Sequence, residues 1–113
     1  MQNITVSKKP LSVNEAWQGR RYKTPAYRSY EREMLLLLPK INLPSPPYRV
    51  YYDFGLSNSM SDWDNPVKPF QDICQKKYGF NDRDIKEAIV RKTRTKKGEE
   101  YISFRFETFP VDQ

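Results

Sequence analysis

Two aspartates, Asp62 and Asp64, stand two positions apart. In an extended segment side chains alternate, so both carboxylates point to one side and can share one ion. A second acidic group, Asp82 with Asp84, follows after enough chain for a helix and a turn, so a third carboxylate could return beside the first two. Three hard oxygen ligands suit magnesium or manganese and would serve zinc or copper poorly. Lys68 lies four residues after Asp64. From the first turn of a helix its ammonium would project to the same side, where it could meet a phosphate oxygen.

The element that must position these groups is the intervening segment. Val67, Phe70, Ile73 or Cys74, and Lys77 or Tyr78 recur three or four apart, the spacing of one apolar helical stripe. Asp64 or Asn65 is placed to cap its start, Pro66 is tolerated in a first turn, and Gly79 can supply the left-handed residue that ends it.

The run Asp62-Trp63-Asp64-Asn65, with Lys68, an apolar helix and then Gly79-Phe80-Asn81-Asp82-Arg83-Asp84-Ile85, resembles the central motif of the RusA family of Holliday junction resolvases. That motif reads Asp-x-Asp-Asn, a lysine four residues beyond the second Asp, an apolar helix, and an Asp-Asp pair followed shortly by an aliphatic residue. Members also open with a strand, a Pro-rich bend, and an Asn followed by aromatic and basic residues; here stand Pro10-Leu11-Ser12-Val13-Asn14, then Trp17, Arg20, Arg21 and Tyr22. Two positions depart from the pattern. Asn81 replaces the first acid of the pair, so Asp82 alone carries over as the third carboxylate. Pro69 sits in the helix's first turns, where it removes a backbone donor and biases Lys68 away from helical angles.

The resemblance implies a homodimeric, magnesium-dependent endodeoxyribonuclease that resolves four-way DNA junctions by paired nicks. Asp62, Asp64 and Asp82 would be metal ligands, and Lys68 would complete the catalytic set. A prophage or recombination and repair setting is likewise what the family suggests. Two alternatives are a non-catalytic DNA-binding module that keeps the fold and a nuclease for other branched DNA.

Composition sets bounds. The 113 residues make one domain, 1–113, able to bury about two thirds of its unfolded surface. A single cysteine excludes an internal disulfide and fits a reducing cytoplasm. The longest apolar run, Met34 to Leu38, is far short of a membrane span, and the first residues carry no secretory pattern. No histidine is present, which excludes Ser-His-Asp and Cys-His chemistry and histidine-ligated zinc. The four scattered glycines build neither a P-loop nor a dinucleotide fingerprint.

Net charge is +6 and unevenly spread. Residues 1–52 hold nine Lys or Arg against three Glu, while the remainder balances at eleven each. Within that remainder Lys86, Arg91, Lys92, Arg94, Lys96 and Lys97 cluster after the acidic group. Basic flanks would draw a polyanion toward an acidic centre that repels it until a cation neutralises the carboxylates, the charge plan of a metal-dependent nuclease. Candidate DNA contacts are Asn14, Arg20, Arg21, Lys23, Arg28, Lys92, Arg94, Lys96 and Lys97; in 14–28 they interleave with aromatics, the pairing that stacking and phosphate neutralisation need.

The expected order is a short strand at Ile4–Ser7, an irregular basic stretch at 14–24, and a helix from Thr24-Pro25 to Leu38 burying Tyr27, Tyr30 or Glu31, Met34, Leu37 and Leu38. A stiff Pro-rich connector then leads to a half-buried strand in which Tyr48, Val50, Tyr52, Phe54 and Leu56 alternate with polar positions. After the acidic helix, Ile85–Thr93 reads as a strand, although Ile85, Ala88 and Ile89 also fit a helix, Lys96-Lys97-Gly98 as a hairpin turn, and Tyr101–Thr108 as the return strand. The fold class is α+β, one mixed sheet with two helices. Trp63, opposite the two acids, is expected as a core anchor, Cys74 as helix core, Asn81 as a turn former, and Asp72 and Asp84 as surface acids.

Overall fold

A computed structural model describes residues 2–18, 22–58 and 62–110. Its elements are β1 (Ile4–Val6), α1 (Val13–Ala16), β2 (Trp17–Gln18), β3 (Tyr22–Lys23), α2 (Pro25–Leu37), β4 (Tyr48–Leu56), α3 (Val67–Tyr78), a 3-10 turn (Asp82–Asp84), β5 (Ile85–Arg94) and β6 (Tyr101–Thr108). The fold is α+β, with a four-stranded mixed sheet in the order β1-β6-β4-β5 and a separate two-stranded sheet of β2 and β3.

β4 alternates as its sequence demands. Tyr48, Val50, Tyr52, Phe54 and Leu56 are all buried, and β6 supplies Phe106, Phe104 and Ile102 opposite Val50, Tyr52 and Phe54. α3 covers this face through Phe70, whose ring lies 5.8 Å from Tyr52, 6.1 Å from Phe54 and 5.3 Å from Phe104. Truncating so central a ring to alanine typically costs about 3–5 kcal/mol. α2 packs beside α3, with the Tyr27 hydroxyl donating to the Pro69 carbonyl at 3.4 Å and the Lys77 ammonium to the Leu35 carbonyl at 3.0 Å.

α2 begins as expected: Thr24 caps it, its hydroxyl oxygen accepting from the Tyr27 amide at 3.1 Å, and Pro25 occupies the first turn, where no amide is needed. Its inward stripe is Tyr27, Tyr30, Met34 and Leu38, at spacings of three, four and four. That rotation carries Leu37 off the stripe, so Leu37 is 48% exposed, contrary to expectation. The described parts of the stretch 14–24, residues 14–18 and 22–24, are also more regular than expected. Ser12 caps α1, and the Thr24 amide returns to the Ala16 carbonyl at 3.0 Å, with the β2–β3 pair between them.

The largest correction concerns β5 and β6. They are not hairpin partners, because β4 lies between them, parallel to β5 and antiparallel to β6. The α3 crossover sets β5 parallel to β4, leaving β4's opposite side for β6. The connection must therefore span two strand spacings, roughly 10 Å. It turns at Gly98, whose φ of 92° only glycine adopts readily, and passes the end of β4, where the Thr95 amide donates to the Leu56 carbonyl at 2.9 Å. Gly55 makes the passage fit, since a Cβ there would overlap the Tyr101 ring and lie 2.9 Å from Thr95 Cγ2.

Candidate functional site

α3 opens without a side-chain cap. Pro66 is the capping residue, and backbone turns lead into it, the Asn65 amide donating to the Asp62 carbonyl at 3.3 Å and the Val67 amide to the Asp64 carbonyl at 3.1 Å. The capping role expected of Asp64 or Asn65 is thus absent, and the Asp64 carboxylate is left to the surface. Pro69 does not distort the helix: as its third residue it falls among the first four amides, which have no intrahelical acceptor. Lys68 accordingly has helical geometry and projects from the first turn, its ammonium 3.3 Å from the Asp72 carboxylate and 5.6 Å from the centre of the Trp17 ring. Asp72, expected as a free surface acid, is its ion-pair partner.

Between α3 and β5 runs an open groove of about 490 Å³. Trp63, Asp64, Val67, Lys68 and Gln71 line it on one side, and Asp82, Ile85, Ala88 and Val90 on the other. The groove exists because β5 is an edge strand that no helix fully covers. Register places Ala88, Val90, Lys92 and Arg94 opposite Val50, Tyr52, Phe54 and Leu56, hence on the helix-facing side, yet Ala88, Lys92 and Arg94 are exposed. The strand wall therefore runs from apolar to basic. Gln71 is held in place by the Tyr52 hydroxyl, which donates to its Oε1 at 2.9 Å.

Three of the four expected catalytic residues, Asp64, Lys68 and Asp82, share this groove, whereas Asp62, also exposed, lies outside its lining. Asp64 precedes α3 and Asp82 follows it, so a helix about 18 Å long separates them along the chain. Among the described residues no group of three or more acidic or thiol side chains is gathered tightly enough to hold a metal ion. The expected trio is therefore not convergent here. Asn81 serves its turn, its Oδ1 accepting from the Arg83 amide at 3.0 Å and so setting the 3-10 turn that presents Asp82. Asp84 is half-buried near Tyr48, whose hydroxyl is held above its usual pKa first by burial and then by that charge.

Of the expected DNA contacts, Lys92 and Arg94 extend the groove's strand wall, and Lys96 and Lys97 lie exposed in the connection that follows. Asn14 is exposed on α1 and Arg28 on α2. Lys23 pairs with Glu31 at 3.2 Å and stands over the Tyr27 ring. Arg20 and Arg21 lie outside the described residues. Trp63 is a correction: it is 58% exposed beside the groove rather than a core anchor. One signal in the sequence pointed to the uncovered wall, since Lys92 and Arg94 share the parity of Ala88 and Val90, an arrangement that a fully buried strand would not tolerate. Cys74 is buried as expected, and its thiol is pushed well up by desolvation. Compared with known proteins, the chain matches no family model and no curated protein.

Proposed function

We propose that this protein is a magnesium-dependent endodeoxyribonuclease acting on four-way DNA junctions, as a homodimer whose two identical sites would nick symmetry-related strands. The observation that carries the reading is that Asp64, Lys68 and Asp82 line one groove whose strand wall continues into Lys92 and Arg94. The residue pattern over 62–85 that resembles RusA resolvases supplies the substrate.

The donor chemistry fits a hard cation. The groove offers carboxylate oxygens, no imidazole exists in the chain, and the one thiol is buried. Magnesium commonly takes one or two protein carboxylates and completes its shell with waters and substrate phosphate, so Asp64 and Asp82, with Asp62 nearby in sequence, are the residues that would hold it. When bound there, the ion would lower the pKa of a water and polarise the scissile phosphate. Lys68 would leave Asp72 for the phosphate and stabilise the charge that develops as the phosphorus–oxygen bond breaks. Lys92 and Arg94 would hold the backbone along the strand wall to one side of the cut.

The absence of a three-carboxylate group among the described residues favours a second reading, a DNA-binding module without chemistry. Calorimetric titration with Mg²⁺ separates the two. The nuclease reading expects binding that weakens in Asp64→Asn and Asp82→Asn; no heat of binding in the presence or absence of junction DNA would leave the binding module standing.

A further inference from the structure

The groove's lining is mostly apolar, which suits a base better than a phosphate. Trp63, 58% exposed, stands at its edge with Val67, and Ile85, Ala88 and Val90 form the opposite wall. A surface tryptophan is the largest apolar side chain left uncovered, and it carries a flat face suited to stacking. The groove's volume of about 490 Å³ falls within the usual range of roughly 300–1,000 Å³ for small-molecule sites. Without a cation, Asp64 and Asp82 repel a phosphate that would enter, while their oxygens can accept from a base donor such as the thymine N3–H or an exocyclic amino group. Lys92 and Arg94 hold the backbone at the rim, so in the cation-free groove the charges sort the strand with its phosphates outside and a base inside.

We propose that Trp63 is a stacking platform for an unpaired base of a DNA strand lying along this groove. The inference rests on the DNA-binding part of the proposed function and deepens it, because only a strand with a base free of its partner can fill the site. A four-way junction offers such a base where a pair opens at the point of strand exchange. Tryptophan–base stacking should make the platform worth roughly a tenfold to hundredfold in affinity.

The test uses the full chain in EDTA, so that no cleavage intervenes, and reads intrinsic fluorescence against single-stranded oligo(dT), the same oligonucleotide with abasic positions, a plain duplex, and oligo(U). The only other tryptophan, Trp17, is half-buried against Tyr27 and 5.6 Å from the Lys68 ammonium, so Trp17→Phe is read beside the wild type to isolate the Trp63 signal. Oligo(dT) should quench the wild type, abasic DNA and duplex should quench it weakly, and Trp63→Phe should abolish the quench while retaining most of the affinity. Trp63→Ala should weaken oligo(dT) binding roughly tenfold or more with an unchanged melting temperature, because the ring supports no core. Persistence of the quench in Trp63→Phe, or unaltered affinity in Trp63→Ala, overturns the platform while leaving DNA binding intact. Equal quenching by oligo(U) overturns the commitment to DNA. No binding of any DNA by the wild type overturns both the platform and the proposed function.

Discussion

Replacing Lys68 with alanine separates chemistry from architecture, because the structure bounds what the side chain contributes to folding. Its ammonium meets Asp72 at 3.3 Å across one helical turn and lies 5.6 Å from the Trp17 ring, with the side chain 65% exposed. An exposed pair at this spacing is worth about 0.3–0.5 kcal/mol, and an exposed cation–π contact about 0.5–1 kcal/mol. Their sum, about 1 kcal/mol, should lower the melting temperature of a domain this size by roughly 4–6 °C. Against a typical stability of about 5–15 kcal/mol, such a loss leaves the protein folded at 25 °C. Loss of a charge aimed at the transition state typically removes about two to three orders of magnitude of turnover. The assay is junction cleavage at saturating DNA, with binding measured in EDTA and unfolding by circular dichroism. Lys68→Ala should turn over at least about a hundredfold more slowly, bind nearly as well, and melt only slightly earlier. Undiminished cleavage, or a fall in rate matched by global unfolding, would refute the assignment.

Other outcomes test the scaffold and its charges. Gly55→Ala should cost about 1–3 kcal/mol by forcing the Tyr101 ring away from β4, and pairing it with Tyr101→Ala should recover part of that loss in a double-mutant cycle. Additive losses would mean that the Tyr101 ring does not lie over Gly55. Glu31 experiences burial, which raises its pKa, but hydrogen bonds and charges from Lys23 and Lys76, each at 3.2 Å, outweigh it and hold the carboxyl below its usual 4.5. A depressed folded-state pKa contributes stability above the unfolded value and loses it as pH falls through the folded one. Urea midpoints should therefore decline as pH drops below 4.5, and Glu31→Gln should flatten that decline; an identical acid profile in the variant would count against the pairing.

Much of this architecture was legible in the residues, and the exceptions share a cause. The alternation from Tyr48 to Leu56, the Thr24-Pro25 start of α2 and the Gly79 stop of α3, with φ of 74°, are local signals, and each element forms where they place it. The pairing of β5 was not local. Lys96-Lys97-Gly98 has hairpin chemistry, yet the strand order is decided by the α3 crossover, which no short window records. Leu37 illustrates the limit of periodicity, since four consecutive leucines leave the phase of the stripe open until α2 docks on α3. At the site, spacing brought Asp64, Lys68 and Asp82 to one groove, but alternation misplaced Trp63, because the residues around it form turns into α3 rather than an extended strand.

The most direct measurement compares cleavage of a four-way junction, a flap and a plain duplex by the purified protein, with Mg²⁺ and with EDTA. The account predicts paired, symmetric nicks in the junction that require Mg²⁺, fall about a hundredfold or more in Asp82→Asn, and are scarce on duplex. Junction cleavage that persists in EDTA, or an Asp82→Asn variant as active as the wild type, would contradict it.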